Sequence, residues 1–242
     1  MSAIGQIGRA AGGSLVQQAM EAVSGFIRDH GLRVGDTLPG EAHFASTLGV
    51  SRAVMREAFG ALAALRVIDV ANGRKPRVGA MDGSVIAASL DHAVSTAQVS
   101  VSEVWDVRRT IELRTAELAA TERTDEEASE IEALAARMAA EADDLERMSR
   151  HDIAFHEAIA RATHNALFVQ IVSSFGPLME VAVPAAWRTR TAATQRQTMI
   201  DRHLAVARAI RRRDPVVAAM AMSDHFDASV GDLLKAAARK PV

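Results

Sequence analysis

The stretch Leu38–Val70, LPGEAHFASTLGVSRAVMREAFGALAALRVIDV, carries the clearest structural signals in the 242-residue chain. It predicts a helix over Glu41–Leu48, a break at Gly49 and a second helix over Arg52–Leu65. Glycine suits the left-handed conformation that ends a helix, and Ser51 is a good N-cap for the helix that follows. Two short helices joined by a glycine-containing turn are typical of a helix-turn-helix.

The second predicted helix has two distinct faces. At 100° per residue, Arg52 and Arg56 project together from one side of its first turns. The second helix of a helix-turn-helix presents its N-terminal residues to base edges, and arginine suits bidentate contact with guanine. Two arginines four residues apart also occur on ordinary solvated helices, so the pair alone does not identify a DNA-binding protein. The opposite, apolar side is expected to face a core and comprises Met55, Ala58, Phe59, Leu62 and Leu65.

A short hairpin is predicted directly after these helices. In RVIDVANGRKPRVG, Val67, Ile68 and Val70 lead into an Asn72-Gly73 turn, and the chain returns through Val78. The tip of the hairpin carries the basic run RKPR. A basic hairpin beside a helix-turn-helix can contact a DNA groove or backbone, so the segment is interpreted as a wing.

Charge is distributed unevenly along the chain. Residues 1–80 carry nine Arg and Lys against six Asp and Glu, whereas residues 81–242 carry nineteen against twenty-four. Between residues 51 and 78 the balance is six basic to two acidic side chains. A local positive excess is what a phosphate-contacting module requires, although an ordinary solvated cluster would give the same count.

The rest of the chain predicts a mainly α protein with two domains. A helix over Ser14–His30 precedes the quoted stretch, and the expected DNA-binding domain covers residues 10–80. A linker over 81–101 contains a short helix over Ser84–Val94. Residues 102–237 predict an all-helical antiparallel bundle, with helices over Ser102–Glu122, Asp125–Glu146, Met148–Thr163, Ala166–Val183, Ala192–Arg211 and Pro215–Ala237.

Composition excludes several classes of protein and site. The chain has no cysteine, so disulfides, thiolate metal sites and cysteine nucleophiles are absent, and a transition metal would need His, Asp or Glu ligands. The N-terminal sequence lacks the apolar core of a secretory signal, and no run reaches the roughly 20 apolar residues of a membrane helix. We therefore expect a cytoplasmic protein with no membrane partner.

The C-terminal region contains four residues that suit a divalent metal. Asp152 and His156 are spaced i, i+4 and project from one helix face, while His203 and His225 lie mid-helix among apolar residues. One carboxylate and three imidazoles would suit zinc, nickel or manganese. The same pattern also fits a surface Asp–His hydrogen bond and ordinary buried histidines.

The quoted stretch resembles the winged helix-turn-helix of the GntR family of bacterial regulators. One departure is Ala42, where many members of the family carry arginine. The galactonate repressor branch resembles this chain in having alanine there. The matching positions are Leu38, Pro39, Glu41, Gly49, Val50, Ser51, Arg52, Arg56, Glu57 and Ala58. The resemblance implies that DNA is contacted from Ser51, Arg52, Arg56, Gly73, Arg74, Lys75 and Arg77.

Residues 102–234 resemble the helical effector domain, called FCD, of the FadR subfamily of these regulators. The landmarks in order are Arg108 with Glu112, the run DIAFHEAI, the pair His164-Asn165, and two later histidines. The resemblance implies a role for Arg108 in binding a small carboxylate effector, although an Arg108–Glu112 helix pair is the alternative. It implies the metal ligands Asp152, His156, His203 and His225, and leaves out His151 and His164.

The resemblance therefore implies a homodimeric regulator, expected to be a repressor, whose binding to operator DNA responds to an organic acid. Ser173, Ser174 and Arg188 are further polar candidates that the sequence does not place. Two alternatives use the same Asp/His site. One is a metal-dependent hydrolase or lyase, although no HExxH or comparable motif supplies a general base. The other is a sensor for which the metal itself is the signal.

Overall fold

A computed structural model describes residues 13–238 of the chain, with side chains described from residue 13 to Ser229. The chain divides into two compact units, residues 1–85 and residues 86–242. Each unit has its own hydrophobic core. The fold is mainly helical, as predicted, and the two units are described separately below.

The N-terminal unit contains three helices and a two-stranded antiparallel sheet. Gly49 ends the second helix in the left-handed conformation at φ 69°, and Ser51 caps the third by accepting a hydrogen bond from the Val54 N–H at 3.2 Å. Both local predictions are confirmed because the chain uses the residue types that these positions require. The elements are α1 (Leu15–Asp29), α2 (Glu41–Leu48), α3 (Arg52–Ala64), β1 (Ile68–Asp69) and β2 (Arg77–Val78).

The apolar face of α3 packs into the core of this unit. Phe44 of α2 lies at its centre, with ring centroids 5.3 Å from Phe26 and 5.9 Å from Phe59. The prediction that Leu65 belongs to this face is wrong: its side chain is 50% exposed. Leu65 is the C-cap of α3 and still donates its N–H to the Ala61 carbonyl, but Arg66 at φ 59° then turns the chain, so Leu65 lies at the end of the apolar face and not within it.

The predicted wing is present, but its strands are shorter and its connection longer than expected. Ile68 pairs with Val78, and residues 70–76 connect the strands. Within this loop the Arg74 N–H donates to the Ala71 carbonyl at 3.1 Å, which places Asn72 and Gly73 at the centre of a tight turn. The turn prediction is therefore confirmed within a longer loop.

A third segment that the sequence analysis did not identify supports the wing. The Val78 N–H donates to the Asp36 carbonyl at 2.9 Å, and the Gly35 N–H donates to the Val78 carbonyl at 2.9 Å. Gly79 then passes so close to the Arg66 carbonyl that a Cβ would collide with it. The wing is therefore anchored to the chain on both sides of its base.

The C-terminal unit is a bundle in which α5 packs against α10 and α11, and α6 against α7 and α10. Its core contains the large side chains of Trp105, Phe155 and Phe226. Capping boxes start α5 at Ser100 and α6 at Thr124. The helices are α4 (Ser84–Ser95), α5 (Val101–Glu122), α6 (Asp125–Ala140), α7 (Leu145–Arg161), α8 (Ala166–Ser174), α9 (Gly176–Thr189), α10 (Ala193–Arg211) and α11 (Pro215–Ala238).

Two predicted helices of this unit are wrong in their bounds. The helix expected to reach Glu146 ends at Ala140, because the Asp144 carboxylate accepts from the Arg147 N–H at 3.1 Å and starts α7 there. The helix expected over residues 166–183 is broken at Phe175 into α8 and α9, which meet at 53°.

Proline explains the break between α8 and α9 only in part. Pro177 lies in the first turn of α9, where the missing N–H costs no helical hydrogen bond. Pro184 directly follows the predicted helix end at Val183, yet α9 continues through it to Thr189. Within residues 13–238, no single helix is long and apolar enough to cross a membrane; the bent pair of α8 and α9 passes that test only jointly.

Candidate functional site

The two arginines of the helix-turn-helix lie on the exposed side of α3. Arg52 is the first residue of the helix, directly after the N-cap Ser51. The Arg56 side chain is 78% exposed, and its Nε lies 3.9 Å from the Glu41 carboxylate of α2. Such an exposed pair contributes little stability, so both guanidinium groups remain available to a partner.

The basic residues of the wing divide into two groups. Gly73, Arg74 and Lys75 lie at the exposed tip, with Gly73 at φ 73° in its turn. Arg77 instead lies on β2, where its guanidinium donates to the Gly35 carbonyl at 2.7 Å. The structure therefore presents Arg74 and Lys75 to solvent, whereas Arg77 also holds the base of the wing.

Three histidines from three different helices meet inside the C-terminal unit. His156 lies on α7, His203 on α10 and His225 on α11, and each side chain is almost fully buried. One ring nitrogen from each lies within 4.8 Å of those from the other two. Helix packing thus brings together residues that are up to 69 positions apart in the sequence.

Asp152 completes the predicted set of ligands. Its Oδ1 lies 3.0 Å from His203 Nε2, while His203 Nδ1 lies 2.9 Å from the Met199 carbonyl. An N–H at Nδ1 donates to this carbonyl, which directs Nε2 toward Asp152 and the cluster. The 3.0 Å between Asp152 Oδ1 and His203 Nε2 is the distance of an ordinary hydrogen bond, and it places two potential metal-ligand atoms side by side.

Burial and neighbouring groups set the protonation states of two members of this cluster, Asp152 and His225. Burial raises the pKa of Asp152, but the hydrogen bond and charge of His203 outweigh it and leave the pKa at about 2. Burial lowers the pKa of His225 well below its usual value, and the charges of His203 and His156 lower it further. Asp152 is therefore ionised and His225 neutral near pH 7.

A buried nitrogen also suits a bound cation. His225 Nδ1 is inaccessible and has no hydrogen-bond partner among the described side chains and backbone, and the same holds for His156 Nδ1, although Glu112 Oε2 contacts it. A buried polar atom without a hydrogen-bond partner destabilises the fold, so a bound ion at this place would stabilise it. The three imidazoles and the Asp152 carboxylate together fit a divalent transition metal.

Arg108 lies beside this cluster and is 3% exposed. Its Nε donates to Glu112 Oε1 at 2.8 Å, Nη2 lies 2.7 Å from the same oxygen, and the guanidinium lies 4.8 Å from the Trp105 ring centroid. The other oxygen, Glu112 Oε2, contacts His156 Nδ1. The helix pair considered in the sequence analysis therefore exists, but it is buried and extends to the histidine cluster.

Glu112 is ionised in this setting. Burial raises its pKa, but the neighbouring charges of Arg108 and His156 and their hydrogen bonds outweigh that effect and lower it below the usual value. From the sequence, Glu112 was predicted only as the partner of Arg108. Its contact with His156 crosses from α5 to α7, so i, i+4 spacing gave no sign of it.

A cavity adjoins the cluster and the arginine, and it contains a basic residue that the sequence analysis missed. Arg190 lines this cavity and is 6% exposed, with its guanidinium 5.3 Å from the Trp187 ring centroid. The candidate Arg188 is exposed instead, and the Ser174 hydroxyl donates to the Ile171 carbonyl at 2.6 Å. The lining comprises Trp105, Arg108, Met148, Asp152, His156, Val183, Ala186, Trp187, Arg190, Met199, His225 and Ser229.

The two excluded histidines have partners of their own. His151 Nε2 lies 3.0 Å from Glu141 Oε2, and His164 Nε2 lies 3.0 Å from both carboxylate oxygens of Glu127. Neither belongs to the group of histidines that could share an ion.

Comparison with known proteins identifies both units. The family described as bacterial regulatory proteins, gntR family, matches residues 15–78, and the FCD domain matches residues 103–228. The chain belongs to the GntR family. Its match to the FCD domain places the histidine cluster in the domain that this family uses to respond to ligands.

Curated relatives of this GntR-family chain are transcription regulators. The Glc operon transcriptional activator of Escherichia coli (strain K12) is 32% identical over 211 residues, which cover 85% of this chain and 83% of the relative. The galactonate operon transcriptional repressor of the same strain is 29% identical, covering 76% of this chain and 82% of the relative. The chain is therefore a ligand-responsive, DNA-binding transcription regulator and not an enzyme.

A solved structure supports the fold. The Streptococcus agalactiae GntR protein matches with a TM-score of 0.63 at 23% identity, covering 88% of this chain and 97% of that one. The alternative of a metal-dependent hydrolase or lyase is wrong, because the family and the relatives are regulators.

Proposed function

We propose that a small organic acid, bound at a divalent metal in the C-terminal unit, controls operator binding by this GntR-family regulator. The observation that carries the proposal is the convergence of Asp152, His156, His203 and His225 beside the buried Arg108, next to a cavity that all of them except His203 line. Zinc, nickel or manganese would suit this donor set.

The residues of the cavity have complementary parts in binding an acid. Three imidazoles and one ionised carboxylate would hold the ion, which would supply a positive charge for an effector oxygen. Arg108 would hold the effector carboxylate, because a guanidinium offers two parallel N–H donors. The name of the galactonate operon repressor supports a hydroxy acid as the class of effector.

DNA binding is proposed for the residues on the exposed side of the helix-turn-helix and at the wing. Arg52 and Arg56 would contact base edges from the start of α3, with Ser51 at the same helix end. Arg74 and Lys75, presented by the Gly73 turn, would contact phosphates. Arg77 is retained as a DNA contact with a second, structural role at Gly35.

Homodimerisation is proposed because two half-sites about one helical turn apart are usually bound by a symmetric pair of recognition helices. Helix α8 supports this idea. Its sequence ALFVQIVSS is mostly apolar, yet only Val172 and Ser174 are buried within one chain, and Leu167 is 55% exposed. Light scattering should give about twice the 25.8 kDa chain mass, and a monomer with and without DNA would contradict the proposal.

The remaining assignments follow from the same proposal. We assign DNA binding to residues 10–80, a linker to 81–101 and metal and effector binding to 102–237, with residues 10–12 outside the described part of the chain. We also propose a cytoplasmic repressor that the acid releases from DNA. A promoter reporter that rises on deletion of the regulator would support repression, and one that falls would indicate activation.

Calorimetry on the full chain tests the metal and acid site. Metal-depleted and metal-loaded protein should be titrated with hydroxy acids of two to six carbons. Saturable binding of an acid only to the loaded protein would support the proposal. Equal binding to both forms would overturn the metal-bound effector, and metal-dependent operator binding without any acid would favour a metal sensor.

A further inference from the structure

We infer that Glu112 is a positioning residue that selects the metal-binding form of His156 and connects that ligand to Arg108. The inference rests on the proposed function, because Glu112 contacts the proposed metal ligand His156. Glu112 itself lies outside the Asp/His set and has no assigned role there. Its carboxylate is 1% exposed, and both of its oxygens face cationic or N–H-bearing neighbours.

The contacts of Glu112 decide which nitrogen of His156 carries the proton. Oε2 lies in contact with His156 Nδ1 without the alignment of a regular hydrogen bond, and an anionic carboxylate this close favours a proton over a lone pair on that nitrogen. In a neutral imidazole one nitrogen carries the proton and the other carries the lone pair. A proton at Nδ1 therefore leaves the lone pair at Nε2 and free for a metal.

A carboxylate is the side chain that satisfies both neighbours at this position. Arg108 donates its Nε–H to Oε1, with Nη2 beside the same oxygen, and His156 Nδ1 lies in contact with Oε2, so each neighbour faces its own acceptor oxygen. Glutamine has the same shape but only one acceptor oxygen. If that oxygen stays with Arg108, the amide N–H₂ faces His156 and favours the tautomer with its proton at Nε2.

The same geometry links the metal to the effector arginine. Oε1 holds the Nε edge of Arg108 in the cavity, while Oε2 holds the imidazole of a proposed ligand. A partner of this kind behind a metal-bound histidine fixes the ring and raises its basicity, and its loss costs about 10- to 100-fold in metal affinity. Glu112 would thus position both the effector arginine Arg108 and the metal ligand His156 through one side chain.

Glu112→Gln in the full-length protein tests this inference. We expect nitrogen NMR of the metal-free, histidine-labelled protein to show His156 moving from the Nδ1–H to the Nε2–H form. We also expect Ni²⁺ or Zn²⁺ affinity, measured against a competing chelator, to fall about 10- to 100-fold. Glu112→Asp keeps two acceptor oxygens on a shorter chain, so it should keep the Nδ1–H form.

Two control variants separate positioning from stability. Glu117→Gln makes the same chemical change on the exposed side of α5, where Glu117 pairs with Arg114. Ile131→Val weakens the core of the same unit at a fully buried residue of α6 that does not line the cavity. Neither should change the tautomer of His156 or the metal affinity, even if thermal stability falls.

The possible failures are distinguishable. If the wild type binds metal and Glu112→Gln keeps the wild-type tautomer or the wild-type metal affinity, Glu112 is only a structural partner of Arg108 and the inference is overturned. If the controls lose metal affinity as strongly as Glu112→Gln, the loss reflects stability and the inference is likewise overturned. A wild type that binds no metal overturns the proposed function itself.

Discussion

The two units of this regulator place their functional side chains in opposite environments. In the N-terminal unit, Arg52 and Arg56 are exposed and four residues apart on one helix. In the C-terminal unit, the proposed metal ligands are buried and come from three helices. The first arrangement can be altered without disturbing a core, whereas the second is itself part of the core. Function and stability should therefore separate in the first unit and move together in the second.

The largest expected effect is at the buried histidines. His203→Ala or His225→Ala should abolish metal binding and remove the stabilisation that the ion provides, which is about 4 kcal/mol at an ion concentration about 1,000 times the Kd. Metal content and thermal unfolding with and without added metal measure both changes. His92→Ala, which removes an exposed histidine of α4, is the control. Retention of metal by both cluster variants would contradict the site.

The exposed arginines should show the opposite behaviour. Arg52→Ala and Arg56→Ala should each weaken specific operator binding by about 1–3 kcal/mol, because a bidentate base contact is lost. The free energy of unfolding should change by less than about 0.5 kcal/mol, since neither side chain is buried. Fluorescence anisotropy with operator and scrambled DNA measures specificity. Full affinity in both variants would overturn the assignment of α3 as the recognition helix.

The wing allows function and stability to be compared at two arginines of the same unit. Arg74→Ala should remove a phosphate contact, weaken binding to all sequences alike and reduce the slope of log affinity against log salt by about 1. Arg77→Ala should in addition lower stability by about 1 kcal/mol, because its hydrogen bond to the Gly35 carbonyl is lost. Salt titrations and denaturant unfolding of the two variants measure the difference. Equal stability would show that Arg77 does not hold the wing.

The local features of the N-terminal unit were predictable because their causes are local. Gly49 and Ser51 act within a few residues of their own positions, and the helix bounds around them follow from the sequence. The pairing of Asp36 with Val78 was missed because it joins segments 42 residues apart and carries no periodic pattern. Leu65 was misplaced because the helix ends one residue before it.

In the C-terminal unit, residue types were predictable but neighbours were not. Spacing placed Asp152 and His156 on one helix face, and family resemblance added His203 and His225. The second contact of Glu112 and the place of Arg190 in the cavity depend on packing between helices, and no spacing rule describes that. The break at Phe175 was not predicted, because the apolar sequence continues through it without a change of composition.

The central claim is that an acid bound by Arg108 and the metal controls operator binding by releasing the regulator from DNA. Arg108→Lys tests it most directly, because lysine keeps a positive charge beside Glu112 but lacks the planar pair of donors. Operator binding should be titrated with the acid found by calorimetry, using metal-loaded wild type and variant. We predict equal metal content and equal operator affinity without acid, and at least about a tenfold higher acid concentration for half of the response in the variant, a change of about 1.4 kcal/mol. A response identical to that of the wild type would contradict the account and remove Arg108 from the effector site.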